Sequence, residues 1–327
     1  MSVRCLVIGT GKMGSAHLQA LAALAPDALA AWAPSLRRRD AAESVGAEFF
    51  HGELSAALDC FQPTHVVVAS PIETLTPISL QLITAGVRHL LVEKPVALSS
   101  QEGAALAAAV KTAEARLYVG YNRRFYSSIR TAKQLIADAA EEIESVAFEF
   151  NEVVTDLAGP QGHALAVRQR WLIANSLHVI DSALFRLGVP DLDRSTFISS
   201  GFLPWHPSGS IFVGSGLTIN GKPFAYHANW TSPGRWGLEW MTPSARYVFR
   251  PLEKLAVMRR GSFSMDNIPI DDELDRRFKP GVYLQNRAFL LDGDDASNLV
   301  SLDHALYLVR LGESIGGYGE REACVHG

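Results

Sequence analysis

Cysteine is scarce in this chain of 327 residues, and its three cysteines, Cys5, Cys60 and Cys324, lie far apart. No CxxC or CxxH spacing joins them, so neither a disulfide framework nor a zinc site is predicted. An excess of basic charge is also lacking, because 30 lysine and arginine residues stand against 34 aspartate and glutamate residues. The net charge of −4 provides no positive field for nucleic acid or for an acidic membrane surface.

No uninterrupted apolar run is long enough to cross a bilayer. The stretch rich in alanine and leucine after His17 is interrupted by Pro26, Asp27 and Pro34, whereas a membrane helix needs about 20 consecutive apolar residues. The segment after Met1 lacks the apolar core and cleavage site of a signal peptide. We therefore expect a cytoplasmic protein, and its length and 48% apolar content favour two globular domains.

The first motif joins an apolar strand pattern over residues 3–8 to a helical pattern. Between them stands Gly9-Thr10-Gly11-Lys12-Met13-Gly14, a GxGxxG sequence. In a dinucleotide site the first glycine allows a tight turn, the second lets backbone approach a pyrophosphate, and the third permits close helix–strand packing. We expect these six residues to bind a dinucleotide through the helix N-terminus. His17 shares the apolar stripe of this helix, which favours a packing role over a chemical one.

The end of the second predicted strand bears on the choice of cofactor. An NAD-type fold places an acidic residue there to bind both ribose hydroxyls, but this chain has no acid before Asp40. It has Ser35, Arg37 and Arg38 instead, and a hydroxyl with guanidinium groups suits a 2′-phosphate. The sequence therefore favours NADP. The alternative is NAD, with the arginines a solvated first helical turn.

Three further apolar runs of strand length alternate with helical patterns, which predicts a parallel, doubly wound sheet. The runs are 64–69 before Ser70-Pro71, 90–92 before Glu93-Lys94-Pro95, and 117–120 before the segment 121–125. Lys94 thus follows the carboxyl end of a strand, at the sheet edge where ligands bind. There it is suited to move a proton or to orient a substrate oxygen. The alternative for an isolated Glu-Lys-Pro sequence is a solvated ion pair in a turn.

These motifs together resemble the Gfo/Idh/MocA family, named after glucose–fructose oxidoreductase, inositol dehydrogenase and a rhizopine-catabolism protein. The resemblance rests on three motifs in order, which are the glycine motif with His17, Ala85-Gly86 leading to Glu93-Lys94-Pro95, and Gly120-x-Asn122-x-Arg124-Phe125. It implies that Lys94 contacts cofactor and reacting hydroxyl, and that Glu93 and Asn122 hold the nicotinamide ribose, with Ser70 and Pro71 beside the cofactor. It also places Arg124 among the substrate contacts. Where the family has Asn and His after Ser70-Pro71, this chain has Glu73 and Thr76.

The sequence changes character from about Ile129. Residues 144–150 alternate with period two, as in a sheet with one open face, and several similar runs follow up to residue 249. The expected fold is an α/β Rossmann dinucleotide-binding domain over residues 1–121. An α+β C-terminal domain over residues 122–327, with an open, mainly antiparallel sheet, is expected to bind substrate and to form oligomers. By resemblance we expect a homodimer or homotetramer.

The segment 170–188 carries the polar residues of greatest interest in the second half. Asn175 or Ser176 is suited to cap a helix, and His178 lies on the face opposite its apolar stripe, which is either solvated or the wall of a site. The family signature here is Asp, then His four residues later, then Asp three residues after that. His178 and Asp181 match it, whereas the first position is Ala174.

The resemblance makes His178 a second catalytic candidate beside Lys94. In relatives the missing Asp pairs with the catalytic His, so His178 without it should be a weaker base and Lys94 should carry more of the proton transfer. Asn175, Trp171 and Tyr283 are the further predicted substrate contacts. The alternative is that Asn175 binds substrate while His178 is only structural.

The predicted activity is hydride transfer between a nicotinamide and a secondary alcohol or ketone of a sugar, cyclitol or nucleotide sugar. One alternative is a redox-neutral enzyme whose tightly bound cofactor is recycled during elimination or glycoside hydrolysis. Another is a catalytically silent sensor of dinucleotide and sugar. Lys94 and His178 favour an enzyme, whereas Ala174 favours the sensor.

Overall fold

The computed structural model describes residues 2–152, 159–291 and 294–318, with no side chains described at 294 and 295. Cys324 lies outside these ranges. The chain divides into two compact units, the first made of Met1–Phe125 and Glu273–Tyr307, the second of Tyr126–Asp272 and Leu308–Gly327. Both units are discontinuous, whereas the sequence predicted one boundary after residue 121.

The elements are named in chain order. The strands are β1 (Arg4–Ile8), β2 (Ala28–Ala33), β3 (Glu48–His51), β4 (His65–Val68), β5 (His89–Glu93), β6 (Arg116–Gly120), β7 (Ser145–Phe150), β8 (Pro190–Ser200), β9 (Ile211–Thr218), β10 (Pro223–Asn229), β11 (Trp236–Met241), β12 (Ala245–Phe249), β13 (Ala256–Arg259), β14 (Asp266–Asn267) and β15 (Val300–Ser301). The α-helices are α1 (Lys12–Leu24), α2 (Asp40–Glu43), α3 (Leu54–Phe61), α4 (Leu75–Thr84), α5 (Ser100–Thr112), α6 (Ser127–Asp138), α7 (Leu165–Gln169), α8 (Leu177–Leu184), α9 (Glu273–Arg277), α10 (Val282–Leu291) and α11 (Leu302–Gly316). Short 3₁₀ turns cover Ile72–Thr74, Asn122–Phe125 and Asp294–Asn298, and a π-helix covers Leu172–Ser176.

The first unit contains a seven-stranded sheet within the described ranges, in the order β15-β6-β5-β4-β1-β2-β3. The strands pair in parallel, except that β15 runs antiparallel to β6. The central strands are buried on both faces, since Leu6, Val7, Val67 and Leu91 are at most 1% exposed. Helices cover such a sheet on both sides, and the predicted Rossmann domain is confirmed. None of the described helices has the length and apolar character needed to cross a membrane.

The segment from Glu273 to Tyr307 belongs to the first unit because of its apolar side chains. Phe289 of α10 lies in one core cluster with Val7, Leu21 and Val67. Leu284 and Ala288 of the same helix form a second cluster with Phe125. The segment packs with the first unit because burial of this apolar helix face stabilises it there, although it follows the second unit in the sequence.

The second unit contains, in the described residues, an eight-stranded sheet in the order β14-β13-β12-β11-β7-β10-β9-β8. It is antiparallel except where β10 pairs with β7 in parallel. Buried and more exposed side chains alternate along β7 and β10, as predicted for a sheet with one open face. On the covered face, the indole nitrogen of Trp240 donates a 3.0 Å hydrogen bond to Ala183 O in α8. The predicted open, mainly antiparallel sheet is thus confirmed.

Candidate active site

The glycine motif forms the turn between β1 and α1. Gly9 has φ +93°, and a Cβ there would lie 2.7 Å from Ala69 O. A Cβ on Gly14 would lie 1.8 Å from Gly9 O, whereas nothing lies within 4 Å of the Cβ position of Gly11. The first and third glycines are therefore needed for the turn to pack, and the second leaves open space above the backbone.

The residues around this open space fit an anionic group. Gly11 precedes α1 with extended backbone, and no side chain caps the helix, so the first-turn N–H groups and the positive end of the helix dipole remain available for phosphate oxygens. Lys12 is exposed and Met13 is half-buried beside it, whereas Thr10 is buried and its carbonyl oxygen lies 3.3 Å from Ser15 Oγ. This geometry suits the pyrophosphate of a dinucleotide.

Ser35, Arg37 and Arg38 are exposed on the turn after β2. Arg39 forms an ion pair with Glu43 one helical turn later. Arg37 and Arg38 have no ion-pair partner in the part of the chain that the structure describes. Their guanidinium groups are therefore available to an external phosphate, and their predicted cofactor contacts stay a prediction.

The segment after β4 forms a hydrogen-bonded turn. Thr74 Oγ1 lies 2.8 Å from Ser70 Oγ and 2.7 Å from Pro71 O. Thr76, which stands where the family has His, is buried and donates a 2.7 Å hydrogen bond to Val96 O. Thr76 thus ties α4 to the chain that follows Pro95.

Lys94 is half-buried directly after β5. The neighbouring Glu93 is only 7% exposed, and its Oε1 lies 2.9 Å from Nε2 of the fully buried His17. A solvated Glu-Lys pair is therefore excluded as an account of this turn. His17 has the packed position that the helical stripe predicted, but its ring also contacts a predicted site residue.

Asn122 and Arg124 are buried in the turn that follows β6. Asn122 Nδ2 donates a 2.8 Å hydrogen bond to Pro280 O, and Arg124 Nη2 donates one of 2.9 Å to His304 Nε2. Both side chains therefore bind the C-terminal part of the first unit. Their predicted contacts with cofactor and substrate stay predictions.

Tyr283 lies in the first turn of α10. Its ring stacks on Phe278, with ring centroids 4.8 Å apart, and packs beside the cluster of Phe125 and Leu284. These contacts show a packing role, and its predicted substrate contact stays a prediction.

The predicted caps of the helix in the second unit are wrong. A π-helix over Leu172–Ser176 runs directly into α8, and no side chain caps α8. Asn175 and Ser176 instead contact the buried carboxylate of Glu152, since Asn175 Nδ2 lies 2.7 Å from Oε2 and Ser176 Oγ lies 2.7 Å from Oε1. Short π-helices occur often at functional sites.

His178 lies in α8, all eight of whose residues are buried. A solvated polar face is therefore excluded for this helix. The His178 side chain is 8% exposed, and its ring centroid lies 6.5 Å from a ring of Trp236. Trp171, just before the π-helix, is half-buried with its ring 5.1 Å from that of His163. Asn175, His178 and Trp171 thus belong to one helical segment.

The structure brings together the predicted site residues of the first unit, because the turns after β1, β2, β4, β5 and β6 share the carboxyl edge of one parallel sheet. Sequence reasoning missed two buried polar residues, Asn286 in the first unit and Glu152 in the second. Glu152 supplies a carboxylate beside Asn175, next to Ala174 where the family has Asp. Nothing in the local sequence distinguishes either residue, because each partner lies far along the chain.

The fold and the glycine turn define a Rossmann-type dinucleotide-binding domain. A family model described as an oxidoreductase family with an NAD-binding Rossmann fold, that of Gfo/Idh/MocA, matches residues 3–121. The match is confined to residues 3–121 and agrees with the resemblance seen in the sequence motifs.

Among curated proteins, scyllo-inositol 2-dehydrogenase (NAD(+)) of Bacillus subtilis (strain 168) is 28% identical over 189 residues. The match covers 57% of this chain and 54% of the relative, so it spans about half of the relative's length.

Solved structures share the fold over nearly the whole chain. Levoglucosan dehydrogenase in complex with NADH has a TM-score of 0.77 at 18% identity, with 98% of each chain covered. UDP-N-acetylglucosamine 3-dehydrogenase of Acidithiobacillus ferrooxidans has a TM-score of 0.74 at 16% identity, with 97% of each chain covered. At these identities the likeness establishes the fold.

Proposed function

We propose that the protein transfers a hydride between a nicotinamide dinucleotide and a secondary alcohol or ketone of a sugar, cyclitol or nucleotide sugar. The observation that carries this proposal is the shared sheet edge, where the open turn at Gly11 and the half-buried Lys94 follow strands of one sheet. The family-model match over residues 3–121 and the names of the relatives support the same chemistry.

The residues proposed to act divide into those that bind the cofactor and those that transfer a proton. Residues Gly9 to Gly14, Ser70 and Pro71 would hold the cofactor, which supplies or accepts the hydride when bound. Because a hydroxyl that loses hydride from its carbon must also lose its proton, Lys94 and His178 are the proposed proton-handling residues. Substrate contacts are proposed for the other predicted side chains, which are Arg124, Trp171, Asn175 and Tyr283.

The proposed cofactor preference is NADP over NAD. Arg37 and Arg38 support it, because two exposed guanidinium groups without an ion-pair partner in the described residues offer forked donors to a 2′-phosphate. The double substitution Arg37→Ala/Arg38→Ala should weaken NADPH binding by about tenfold or more and leave NADH binding nearly unchanged. Equal losses for both cofactors would contradict the preference. Arg39→Ala, which removes a paired arginine of the same turn, is the matched control.

The first experiment is a fluorescence titration with NADPH and NADH, followed by a panel of sugars, cyclitols and nucleotide sugars. Lys94→Ala should lose turnover, because it removes a proposed proton carrier, and should weaken cofactor binding only in part, because Gly9 to Gly14 stay in place. Lys111→Ala, on α5, should behave as wild type. Turnover that survives Lys94→Ala would contradict the assigned role.

The same panel separates the alternative activities. Substrate conversion without added cofactor, by protein that retains a bound dinucleotide, would indicate the redox-neutral enzyme. Binding of dinucleotide and sugar without conversion would indicate a sensor.

A second copy of this chain is the proposed partner of the open sheet face, in a homodimer or homotetramer of the cytoplasm. Ile198 of β8 and Val213 of β9 are paired on neighbouring strands and are 55% and 38% exposed. Ile198→Asp/Val213→Asp should shift the mass measured by light scattering to that of a monomer. Ile219→Asp, at an exposed position after β9, is the control. A monomeric wild-type protein would refute the assembly.

A further inference from the structure

His17, Glu93 and Asn286 form a buried polar cluster in the first unit, which we call the buried triad. His17 Nε2 lies 2.9 Å from Glu93 Oε1, and His17 Nδ1 lies 2.9 Å from Asn286 Nδ2. His17 and Asn286 are both 0% exposed. The triad joins α1, the carboxyl end of β5 and α10, although His17 and Asn286 are 269 residues apart in the chain.

The hydrogen bonds of Asn286 determine which His17 nitrogen carries the proton. Asn286 Nδ2 also donates a 2.8 Å hydrogen bond to Val282 O, which identifies this atom as the amide nitrogen. His17 Nδ1 lies 2.9 Å from Asn286 Nδ2 and 3.2 Å from Asn286 Oδ1, and the shorter contact assigns Nδ1 as the acceptor of the second amide hydrogen. A neutral imidazole then carries its proton on Nε2, and this N–H donates to the Glu93 carboxylate.

Gly120, on the neighbouring strand β6, restricts the position of the same carboxylate. A Cβ at Gly120 would lie 2.9 Å from Glu93 Oε1 and 3.2 Å from Glu93 Cα. Since 2.9 Å is closer than real Cβ contacts come, any larger residue here would displace the carboxylate or the strand. The Glu93 carboxylate is thus fixed by His17 and has no room to move towards β6.

We propose that His17 and Asn286 are positioning residues that fix Glu93 and, through the adjoining peptide bond, the backbone from which Lys94 projects. This inference rests on the proposed hydride-transfer function, in which Lys94 handles the proton. A buried carboxylate that loses its donor is strongly destabilised, so without His17 the Glu93 side chain would turn towards solvent and displace Lys94. The triad also connects α1, which begins at the glycine turn, to the turn that carries Lys94.

Three substitutions disturb the triad at different points. His17→Leu removes the imidazole and its donor, Asn286→Leu removes the amide, and Gly120→Ala displaces the carboxylate without touching the other members. Each should lower kcat by about tenfold or more, because small misplacements of a reacting group have large effects on rate. KM should stay within about threefold of wild type, and NADPH affinity should fall less than kcat does, because the glycine turn is left intact. His89→Gln, at the other end of β5, is the matched control and should leave all three constants unchanged.

The kinetic constants are measured per folded protein, with the folded fraction determined by circular dichroism. A triad that only stabilises the fold predicts a lower melting temperature with unchanged kcat, and that result would overturn the proposal. Wild-type turnover that survives all three substitutions would overturn it as well. A wild-type protein that converts no compound of the panel would instead refute the proposed function.

A nitrogen-15 NMR spectrum of histidine-labelled wild-type protein without cofactor tests the triad independently of activity. The resonances of His17 are assigned by their absence in His17→Leu. The expected signature is a protonated Nε2 and an unprotonated Nδ1 at neutral pH. A neutral ring with its proton on Nδ1 would leave the Glu93 carboxylate without this donor and would overturn the proposal.

Discussion

Alanine substitutions at Gly11 and Gly14, made separately, should have different effects: the first should weaken cofactor binding and the second should destabilise the fold. Nothing lies within 4 Å of a Cβ at Gly11, so the turn accommodates alanine there. The methyl group would occupy the space that a pyrophosphate needs. At Gly14 the Cβ would lie 1.8 Å from the backbone oxygen of Gly9, which no rotamer change relieves.

The magnitudes follow from these contacts. Overpacking costs about 1 to 3 kcal/mol, and a clash with backbone places Gly14→Ala near 3 kcal/mol, offset by at most about 1 kcal/mol of helix propensity. A net loss of about 2 kcal/mol corresponds to a melting temperature lower by about 4 to 8 °C for a domain of this size. Gly11→Ala replaces a tolerated N-cap residue by a poor one, at about 0.5 to 1 kcal/mol.

The assay is thermal unfolding of the cofactor-free protein, combined with NADPH and NADH titration of each variant. Gly11→Ala should melt within about 4 °C of wild type and lose dinucleotide affinity by about tenfold or more. Gly14→Ala should show the larger thermal shift. If Gly11→Ala binds both cofactors as wild type does, the open space is not a pyrophosphate site and the reasoning fails.

Three other predictions concern buried groups. Glu152→Gln removes a carboxylate that accepts two hydrogen bonds, so unfolding in urea should show a loss of about 2 kcal/mol; an unchanged midpoint would contradict this. Burial lowers the pKa of His206 to about 4, so the folded state binds fewer protons than the unfolded state, and stability should fall by about 2 to 3 kcal/mol as pH drops from 6.5 to 4.5. His206→Asn should reduce that slope, whereas His227→Asn, on the exposed side of β10, should not. Burial raises the pKa of the Cys5 thiol to about 12, so a thiol reagent at pH 8 should label exposed Cys60 and spare Cys5 until unfolding, as checked by peptide mass.

Local patterns in the sequence predicted most of the first unit. The strand before the glycine motif, the helix after it and the strand that ends at Glu93 depend on short-range periodicity and on glycine and proline chemistry. The positions of Lys94 and of the GxGxxG turn follow from the same patterns, because the carboxyl ends of parallel strands share one sheet edge. The alternating runs likewise predicted an open, mainly antiparallel sheet in the second unit.

The helical segment of the second unit was predicted less well. The sequence predicts a helix that begins at a capping Asn175 or Ser176. In the structure, a π-helical turn precedes this point and continues directly into α8. Asn175 and Ser176 have the side chains of good caps. In the structure both side chains contact the buried carboxylate of Glu152 instead. Local propensity cannot predict this contact, because its partners are more than 20 residues apart in the chain.

The sequence by itself determined the alternation of strands and helices in the first unit, the dinucleotide turn and the presence of a lysine at a strand end. Tertiary structure decided that Glu273 to Tyr307 packs with the first unit, and that Asn286 meets His17 across 269 residues. Local elements are specified by interactions among near neighbours in the chain. The partners of buried polar groups are specified only when distant apolar surfaces pack and exclude water, because hydrogen bonding is then required of every polar atom they enclose.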